Sequence, residues 1–335
     1  MHRPSRTKNT DVDFAILGAG AIGSILGAHL ARAGHSVVML ARDRRAKQIQ
    51  NNGLWITGLA ELSERVPTLP DGEELRSARV LIVAMKTPGT AEALAALRHV
   101  DVGAAFSIQN GPLKNELLAG VFGEPRVLGA LANTSGEMLP SGEIAFTRNV
   151  AILLGDLFGA TKPRAEHIAR TIDASGVRAA AVVNIKSLEW SKFVAWAGLM
   201  ALSVTTRVET WRFLTDSGSA LVLVRLVREM AILARALGVE LTDESVLPVA
   251  TISAGTERDA IAAVIKVGHD FELSARTHRM SSLQDLEAGR PLEIHETFGF
   301  ALQEAASRQL PLPLVEAFYH LIAAIDGIRV SPPPG

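Results

Sequence analysis

Short apolar runs alternate with segments of helical periodicity along the first half of the chain. The runs lie at 14–17, 37–40, 80–85, 104–108 and 127–131, each bounded by polar or glycine-containing segments. Continuous apolar runs of this length are typical of parallel strands that are buried on both faces. Because the intervening segments have helical periodicity, the pattern predicts an α/β domain with a doubly wound, mainly parallel sheet and right-handed crossovers.

The pattern changes near Val183. Further short runs predict strands at 54–57, 142–146, 151–155 and 177–183, of which 142–146 and 151–155 are expected to pair. From Ile185 onward the periodicity is only helical, at about 185–206, 217–237, 243–252, 258–276, 281–288, 293–308 and 313–327. We therefore predict an α/β domain over 13–183 and an all-α domain over 184–328, with flexible tails at 1–12 and 329–335.

A glycine-rich turn follows the first apolar run. It consists of Gly18, Ala19, Gly20, Ala21, Ile22 and Gly23, and a helical pattern continues from it to Ala33. Gly18 permits a sharp turn, Gly20 lets a pyrophosphate approach the backbone, and Gly23 lets the helix lie close to the sheet. The helix N-terminus offers N–H groups and a positive dipole end to the phosphates. Strand, turn and helix in this order predict a dinucleotide site rather than a merely structural glycine turn.

The end of the second apolar run bears on which dinucleotide binds. An acidic residue there hydrogen-bonds the ribose 2′-hydroxyl of NAD, whereas an arginine accepts the additional phosphate of NADP. Arg42 follows the run, which favours NADP (NADPH) with Arg42 as the main contact. Asp43 beside it keeps NAD as the alternative. Arg44 and Arg45 are interpreted equally well as phosphate contacts or as solvated residues of a first helical turn.

Polar residues also follow the third and fourth apolar runs. Lys86 comes after 80–85, and Asn110 lies within Gln109-Asn110-Gly111 after 104–108. Ligands of doubly wound sheets bind at the carboxyl ends of the strands, so both residues are candidates for lining the cofactor. The alternative interpretations are a solvated loop lysine and the first residue of an Asn-Gly turn.

Composition narrows the classes of protein. The 335 residues include no cysteine and carry a net charge of −1. Disulfides, thiolate catalysis and cysteine-based zinc sites are thereby excluded, and the charge gives no support for a nucleic-acid or anionic-membrane partner. No apolar run reaches the roughly 18 residues of a membrane helix, and 1–10 lack the apolar core of a secretory signal. We expect a cytoplasmic protein without a bound metal.

One lysine interrupts a long apolar segment of the predicted all-α domain. Lys192 lies in 185–206, and Trp196 and Met200 share its helical face at spacings of four and eight residues. A lysine among apolar neighbours needs a partner or must extend its ammonium group to solvent. The segment is therefore consistent with a buried general acid or with a surface lysine.

A polar segment at 281–294 reads SSLQDLEAGRPLEI. A helix capped by serine is expected to end at Gly289, with Glu293 opening the next helix. Glu293 is also consistent with a first-turn acid that the helix dipole stabilises. On their own, these residues do not identify a reaction.

Taken together, the motifs resemble the ketopantoate reductase family. They are GAGAIG at 18–23, Lys86 at a strand end, QNG at 109–111, EWSK at 189–192 and SSLQDLEAGRPLEI at 281–294, within a resemblance that spans about 13–327. The resemblance implies an N-terminal Rossmann domain and an all-α C-terminal domain like that of 6-phosphogluconate dehydrogenase. It also implies NADPH-dependent reduction of a 2-keto acid to a 2-hydroxy acid, as 2-dehydropantoate 2-reductase does in pantothenate biosynthesis.

The resemblance also implies roles for individual residues. Lys192 resembles the family's proton donor, and Glu293 resembles the acidic residue near the nicotinamide ribose and the substrate. Lys86 and Asn110 resemble residues that line the cofactor. Ser281 resembles the serine that binds the substrate carboxylate, although the neighbouring Ser282 leaves the register open by one residue.

The chain departs from the family at positions that bind substrate. The reductases that define the activity have asparagines four and eight residues after the catalytic lysine, whereas this chain has Trp196 and Met200. An asparagine common in the Glu293 helix is replaced by an apolar residue around Phe298. A site that loses hydrogen-bond partners for a substrate hydroxyl changes its discrimination strongly. We therefore expect the hydride-transfer machinery to serve a bulkier or less polar carbonyl substrate.

Two alternatives stay open from the sequence. The protein acts in the oxidative direction or on an imine, as related β-hydroxyacid and opine-type dehydrogenases do, or it is a non-catalytic NADP sensor. Under the main prediction, the partner is a small-molecule 2-keto acid. We expect it to bind where the two domains meet across a cleft. Ala- and Leu-rich helices of the second domain could also pack between the subunits of a homodimer.

Overall fold

A computed structural model of the protein describes residues 10–157 and 163–330. It contains two units, one formed by the described residues up to Asn110 with Lys114–Ile185, and one by Gly111–Leu113 with the described residues from Lys186 onward. The tails predicted at 1–12 and 329–335 lie mostly outside the described residues, and what remains of them belongs to the first strand and the last helix. Within the described ranges, no helix combines the length and the apolar character that crossing a membrane requires.

The first unit contains two sheets. Its strands are β1 (Thr10–Leu17), β2 (Val37–Leu40), β3 (Leu54–Gly58), β4 (Leu62–Glu64), β5 (Thr68–Leu69), β6 (Leu75–Val83), β7 (Asp101–Ser107), β8 (Leu128–Met138), β9 (Ile144–Asp156) and β10 (Ala179–Ala181). The first sheet has the order β5-β2-β1-β6-β7, and all of its strand pairs are parallel. The predicted α/β domain with a parallel sheet is confirmed.

Helices cover both faces of this parallel sheet. They are α1 (Ala21–Arg32), α2 (Asp43–Asn52), α3 (Thr90–Ala95) and α4 (Leu113–Phe122). A later helix, α5 (Pro163–Ala174), packs against β9 and β10 of the second sheet. α1 packs between the two sheets, with Ile25 and Leu26 in the same core as Ile16 of β1 and Phe146 of β9. On the opposite face, residues of α3 and α4 pack against alternate residues of β6. The apolar runs are therefore buried on both faces, as their composition predicts.

The second sheet departs from the sequence-based prediction. Its order is β10-β9-β3-β4, and β8 pairs with β9 in antiparallel register from Leu128↔Asp156 to Met138↔Ile144. The runs at 142–146 and 151–155, predicted to pair with each other, instead belong to the single strand β9, whose partner is β8. The apolar signal lapses at Thr147 and Arg148 because these strand residues are exposed.

The second unit is helical. Its helices are α6 (Ile185–Thr206), α7 (Thr210–Thr215), α8 (Ser217–Ala236), α9 (Val249–Ala254), α10 (Glu257–Ser274), α11 (Ser281–Glu287), α12 (Phe300–Ala306) and α13 (Pro313–Val330), with a π-helical turn at His295–Gly299. The all-α prediction is confirmed, although α7 is not predicted. The helix expected at 243–252 begins only at Val249, because Pro248 has no N–H group to donate within a helix and disfavours helical backbone at the residue before it. The helix expected at 293–308 consists of the π-helical turn followed by α12.

α6 lies at the centre of the second core. Residues 193–204 are all buried, so this part of the helix has no exposed face. The same core includes Leu223 of α8, Val264 of α10 and Ile322 of α13. A helix that is apolar all round is stable only when neighbouring elements surround it, which is the arrangement found here.

Candidate functional site

The turn between β1 and α1 contains two glycines that the backbone requires. Gly18 has a φ of +106°, and a Cβ atom there would lie 2.6 Å from the Met85 nitrogen and 2.8 Å from the Ala84 carbonyl carbon. A Cβ atom at Gly23 would overlap the carbonyl oxygen of Gly18. A larger residue at either position would push the turn away from the end of β6 or the helix away from the turn.

Gly20 differs from these two because protein atoms do not crowd it. Its φ is −70°, and the atom nearest to an added Cβ would be the Ala84 carbonyl oxygen at 3.8 Å. Gly20 is also the N-cap of α1 and supplies no side-chain cap to the first N–H groups of the helix. Ala19 is buried beside it, and Ala21 and Ile22 are half-buried in the first helical turn. The fold thus keeps a bare backbone at a helix N-terminus, which suits a phosphate.

The arginines after β2 lie in different environments. Arg42 is the N-cap of α2 and is exposed, and its side chain forms no hydrogen bond or ion pair with a described residue. Arg44 is also exposed. Arg45 is half-buried, and desolvation by burial lowers the pKa of its guanidinium group. Of the two interpretations left open for Arg44 and Arg45, a solvated first-turn residue describes Arg44 but not Arg45.

Lys86 and Asn110 lie in the loops that follow β6 and β7. Lys86 is exposed, and Asn110 is half-buried. β2, β1, β6 and β7 are parallel neighbours in that order. Arg42, the glycine turn, Lys86 and Asn110 therefore follow the carboxyl ends of four adjacent strands. The structure places them along one edge of the sheet, the edge at which such sheets bind ligands.

A buried glutamine, Gln109, to which the sequence pattern assigned no role, joins two of these strand ends. The Gln109 side-chain amide donates to Thr90 Oγ1 at 2.7 Å, and its Oε1 accepts from the Ser107 hydroxyl at 2.9 Å. The Thr90 hydroxyl donates in turn to the Lys86 carbonyl oxygen at 3.3 Å. The loops that carry Lys86 and Asn110 are thus linked. The available sequence signal was a polar residue directly after an apolar run.

A buried lysine supports the same loop. Lys114, on α4, is 3 % exposed. Its ammonium group donates to the carbonyl oxygen of Gln109 at 3.0 Å and to that of Ala130 at 2.5 Å. Buried lysines are rare and need hydrogen-bond partners, and nothing in the local periodicity distinguishes this one. Lys114 fixes the backbone immediately before Asn110.

In the second unit, Lys192 lies on α6 and is half-buried. Trp196 and Met200, one and two turns further along, are 8 % and 0 % exposed and belong to the hydrophobic core. Phe298, from the π-helical turn, is buried in the same core. The apolar residues at these three positions therefore pack into the interior of the helical unit.

Two glutamates, Glu293 and Glu296, occur at the π-helical turn. Glu293 is buried and immediately precedes the helical residues, and the Thr297 hydroxyl donates to its carbonyl oxygen. Burial raises the pKa of the Glu296 carboxyl group, and the neighbouring Glu293 acts in the same direction. The Glu296 Oε2 atom is buried and has no hydrogen-bond partner among the described residues. π-helical turns are frequent at functional sites because they redirect side chains, and no sequence pattern marked this one.

The two serines at the start of α11 differ in exposure. Ser281 is exposed, whereas Ser282 is buried and its hydroxyl has no hydrogen-bond partner among the described residues. The N-cap of α11 is Met280, without a side-chain cap, so the serine cap expected from the sequence is wrong. Ser281 is the serine that is accessible from solvent.

Two family models match the chain. The model described as ketopantoate reductase PanE/ApbA matches residues 14–159, and the model described as ketopantoate reductase PanE/ApbA C terminal matches residues 184–326. A 2-dehydropantoate 2-reductase from Archaeoglobus fulgidus is 27 % identical over 311 residues, which are 93 % of this chain and 97 % of that protein. The similarity therefore extends over both units.

Solved structures share the fold of the chain. A PanE/ApbA family ketopantoate reductase from Ralstonia eutropha has a TM-score of 0.80 at 23 % identity, covering 96 % of this chain and 100 % of that one. A D-mandelate dehydrogenase, in a ternary structure with NADH and anilino(oxo)acetate, has a TM-score of 0.78 at 18 % identity, also covering 96 % and 100 %. At these identities the likeness establishes the architecture alone.

Proposed function

This chain belongs to the ketopantoate reductase family, and we propose that it is an oxidoreductase that reduces a 2-keto acid to a 2-hydroxy acid with NADPH. The observation that carries the proposal is the row of candidate residues along one edge of the parallel sheet, beside a turn that admits no side chain at Gly18 or Gly23. A reductase also needs a proton donor, and the half-buried Lys192 of the helical unit supplies the appropriate group.

The residues of the first unit fit a nicotinamide dinucleotide phosphate. The bare backbone at Gly20 and the N-terminus of α1 would hold the pyrophosphate. Arg42, which is exposed and has no partner among the described residues, would hold the 2′-phosphate, since a guanidinium group can bind a phosphate through two hydrogen bonds. Lys86 and Asn110 would line the nicotinamide half of the cofactor. The same row would fit NADH less well, because Arg42 would then lack its anion.

When bound, NADPH would supply the hydride that the substrate's carbonyl carbon accepts. Lys192 donates a proton to the developing alkoxide oxygen, and its positive charge stabilises that oxygen before the transfer. Glu293 accepts hydrogen bonds from hydroxyl groups of the cofactor ribose or of the substrate. Ser281, the accessible serine at the start of α11, donates to the substrate carboxylate.

The substrate we propose is bulkier or less polar than ketopantoate. Trp196, Met200 and Phe298 are apolar and buried, so this chain offers a substrate hydroxyl no amide at any of the three positions. Trp196 has one donor and no acceptor, so it cannot replace an asparagine that does both. Recognition of the carboxylate remains available through Ser281. This combination favours 2-keto acids that carry an apolar side chain.

The test is NADPH oxidation across a panel of 2-keto acids, from ketopantoate and pyruvate to branched aliphatic and aromatic members. We expect kcat/KM for an apolar 2-keto acid to exceed that for ketopantoate by about tenfold or more, the scale of one mismatched pocket contact. Efficient turnover of ketopantoate would contradict the proposed substrate class but would still support a 2-keto acid reductase. Assays with NADP⁺ and 2-hydroxy acids, and with ammonia added, examine the oxidative and imine alternatives. NADPH binding without turnover in any assay would instead indicate a sensor.

A further inference from the structure

Arg45 forms four hydrogen bonds around the glycine turn. Its Nε donates to the Ala19 carbonyl oxygen at 3.0 Å, and its Nη2 donates to the Ser24 hydroxyl at 2.9 Å. Its Nη1 donates to Gln48 Oε1 at 3.0 Å and to the Gly142 carbonyl oxygen at 2.8 Å. A single side chain on α2 thereby joins the turn, α1 and the loop between β8 and β9.

Other contacts reinforce both ends of this cluster. Ser24 is fully buried, and its hydroxyl donates to the same Ala19 carbonyl oxygen at 3.2 Å. Gln48 Nε2 donates to the Ser141 carbonyl oxygen at 2.6 Å, next to the Gly142 carbonyl that Arg45 binds. The position of the Ala19 carbonyl is therefore fixed by two donors that are themselves held in place.

The charge of Arg45 is not balanced by its partners. All four partners are uncharged, being two backbone carbonyls, an amide oxygen and a hydroxyl. A half-buried cation whose hydrogen-bond partners are all neutral attracts an anion that binds nearby, because no counter-ion offsets its charge. Four of the five guanidinium N–H groups are already used, so Arg45 has little capacity left to contact a phosphate itself. Arg45 would therefore influence a bound phosphate indirectly. Its hydrogen bonds hold the glycine turn in place, and its positive charge lies near that turn.

We propose that Arg45 is a positioning residue for the dinucleotide, which holds the glycine turn in register with α2. The proposal rests on the NADPH binding proposed above. Arg42, the candidate 2′-phosphate contact, is the N-cap of the same helix, three residues before Arg45. The four hydrogen bonds of Arg45, which we call the Arg45 clamp, thus set the spacing between two groups. These are the backbone that faces the pyrophosphate and the side chain that faces the 2′-phosphate. Its loss displaces the turn and weakens NADPH and NADH alike, whereas loss of Arg42 weakens NADPH alone.

The test compares three single variants by titrating NADPH and NADH into the purified protein. Arg45→Met keeps an unbranched side chain but removes every donor, and we expect Kd to rise about tenfold to a hundredfold for both cofactors. Arg42→Ala should raise Kd for NADPH only. Arg44→Met, the exposed neighbour, should change neither. At saturating NADPH, kcat of Arg45→Met should equal that of the wild type, because the residue does not touch the reacting atoms.

A purely structural role for Arg45 predicts a lower Tm with both Kd values unchanged, and that result would overturn the proposal. Should Arg45→Met fail to fold, Arg45→Lys, which keeps the charge, and Ser24→Ala, which removes one partner, decide the matter in its place. We expect both to raise Kd for the two cofactors, and wild-type values in both would again refute the clamp. If the wild-type protein binds neither NADPH nor NADH, the proposed function is contradicted together with the role of Arg45. If the wild-type protein binds and the variants bind equally well, only the role of Arg45 is contradicted.

Discussion

The glycine turn of the first unit and α6 of the second differ in what they offer to a ligand. The turn offers bare backbone, and α6 offers one charged side chain. At the turn, the proposed cofactor binding depends on the absence of side chains, because Cβ atoms at Gly18 and Gly23 would collide with backbone. On α6, function is assigned to one charged side chain, Lys192, next to twelve consecutive buried residues at 193–204. The first arrangement is dictated by the backbone, and the second by which side chains fill a core.

The difference explains how the proposed substrate positions on α6 can vary while the glycine motif cannot. A turn that admits no side chain has almost no permitted substitutions. A buried helix tolerates any apolar residue of suitable volume, so Trp196 and Met200 satisfy the fold whether or not a substrate approaches them. Substrate preference can therefore change on α6 without loss of the scaffold, whereas cofactor class cannot change at the turn as easily.

The largest expected effect comes from removing the charge on α6. Lys192→Ala should lower kcat by about 10² to 10⁴, the range that general acid catalysis contributes, while the Kd for NADPH stays near the wild-type value. Pre-steady-state NADPH oxidation with the best 2-keto acid separates the two quantities. Lys186→Ala is the matched control, because Lys186 is an exposed lysine near the start of the same helix. A wild-type kcat in Lys192→Ala would show that another group donates the proton.

A smaller effect, on binding rather than chemistry, distinguishes the glycines of the turn. Gly20→Ala adds a methyl group where the nearest atom is 3.8 Å away, so Tm should stay close to that of the wild type. The same methyl group occupies the space proposed for the pyrophosphate, and we expect Kd for NADPH to rise about tenfold or more.

Gly18→Ala is the matched comparison for Gly20→Ala. It requires a non-glycine residue at φ +106° with a Cβ atom 2.6 Å from Met85, so we expect a clear loss of Tm as well as of binding. Calorimetry and NADPH titration of both variants separate a fold requirement from a ligand requirement. Equal Tm losses in the two variants would contradict the distinction.

A related contrast separates the features that the sequence predicts from those that it does not. The β1–turn–α1 unit and the strand-end positions of Lys86 and Asn110 were predictable because they follow from local patterning and the conformation that glycine allows. The roles of Gln109, Lys114 and Arg45 were not, because each depends on a partner in another element of the fold. For Arg45 that partner is Gly142, 97 residues away. The pairing of β8 with β9 was missed because exposed polar residues interrupt the apolar signal within one strand.

In the helical unit, too, one element was predictable from the sequence and another was not. Periodicity predicted α6, since apolar content alone specifies a core helix, but it left the environment of Lys192 open. It could not predict the π-helical turn at His295–Gly299, because a single inserted residue changes neither the composition nor the apolar spacing enough to be recognised. The surroundings of Glu293 therefore came only from the structure.

The smallest expected effect concerns the scaffold behind the turn, where α1 carries a buried histidine. His29 Nδ1 lies 2.9 Å from the Ser175 carbonyl oxygen, and its ring packs edge-on against Phe146. Burial lowers the pKa of His29 below its ordinary value of 6.5, and the bond to Ser175 opposes that shift only in part. The folded protein therefore holds this ring neutral under conditions in which the unfolded chain would protonate it.

The sign of the pH dependence follows from this difference. As pH falls below about 6.5, the unfolded chain binds a proton that the folded chain does not, so the free energy of unfolding decreases until the lower folded pKa is reached. His29→Gln should reduce stability at neutral pH by about 1 kcal/mol through the altered hydrogen bond, and it should also flatten the decline below pH 6.5. Urea unfolding at a series of pH values measures both, with His167→Gln, at an exposed histidine, as the control that keeps the wild-type slope. An unchanged slope in His29→Gln would show that the scaffold behind the turn does not depend on a neutral ring at this position.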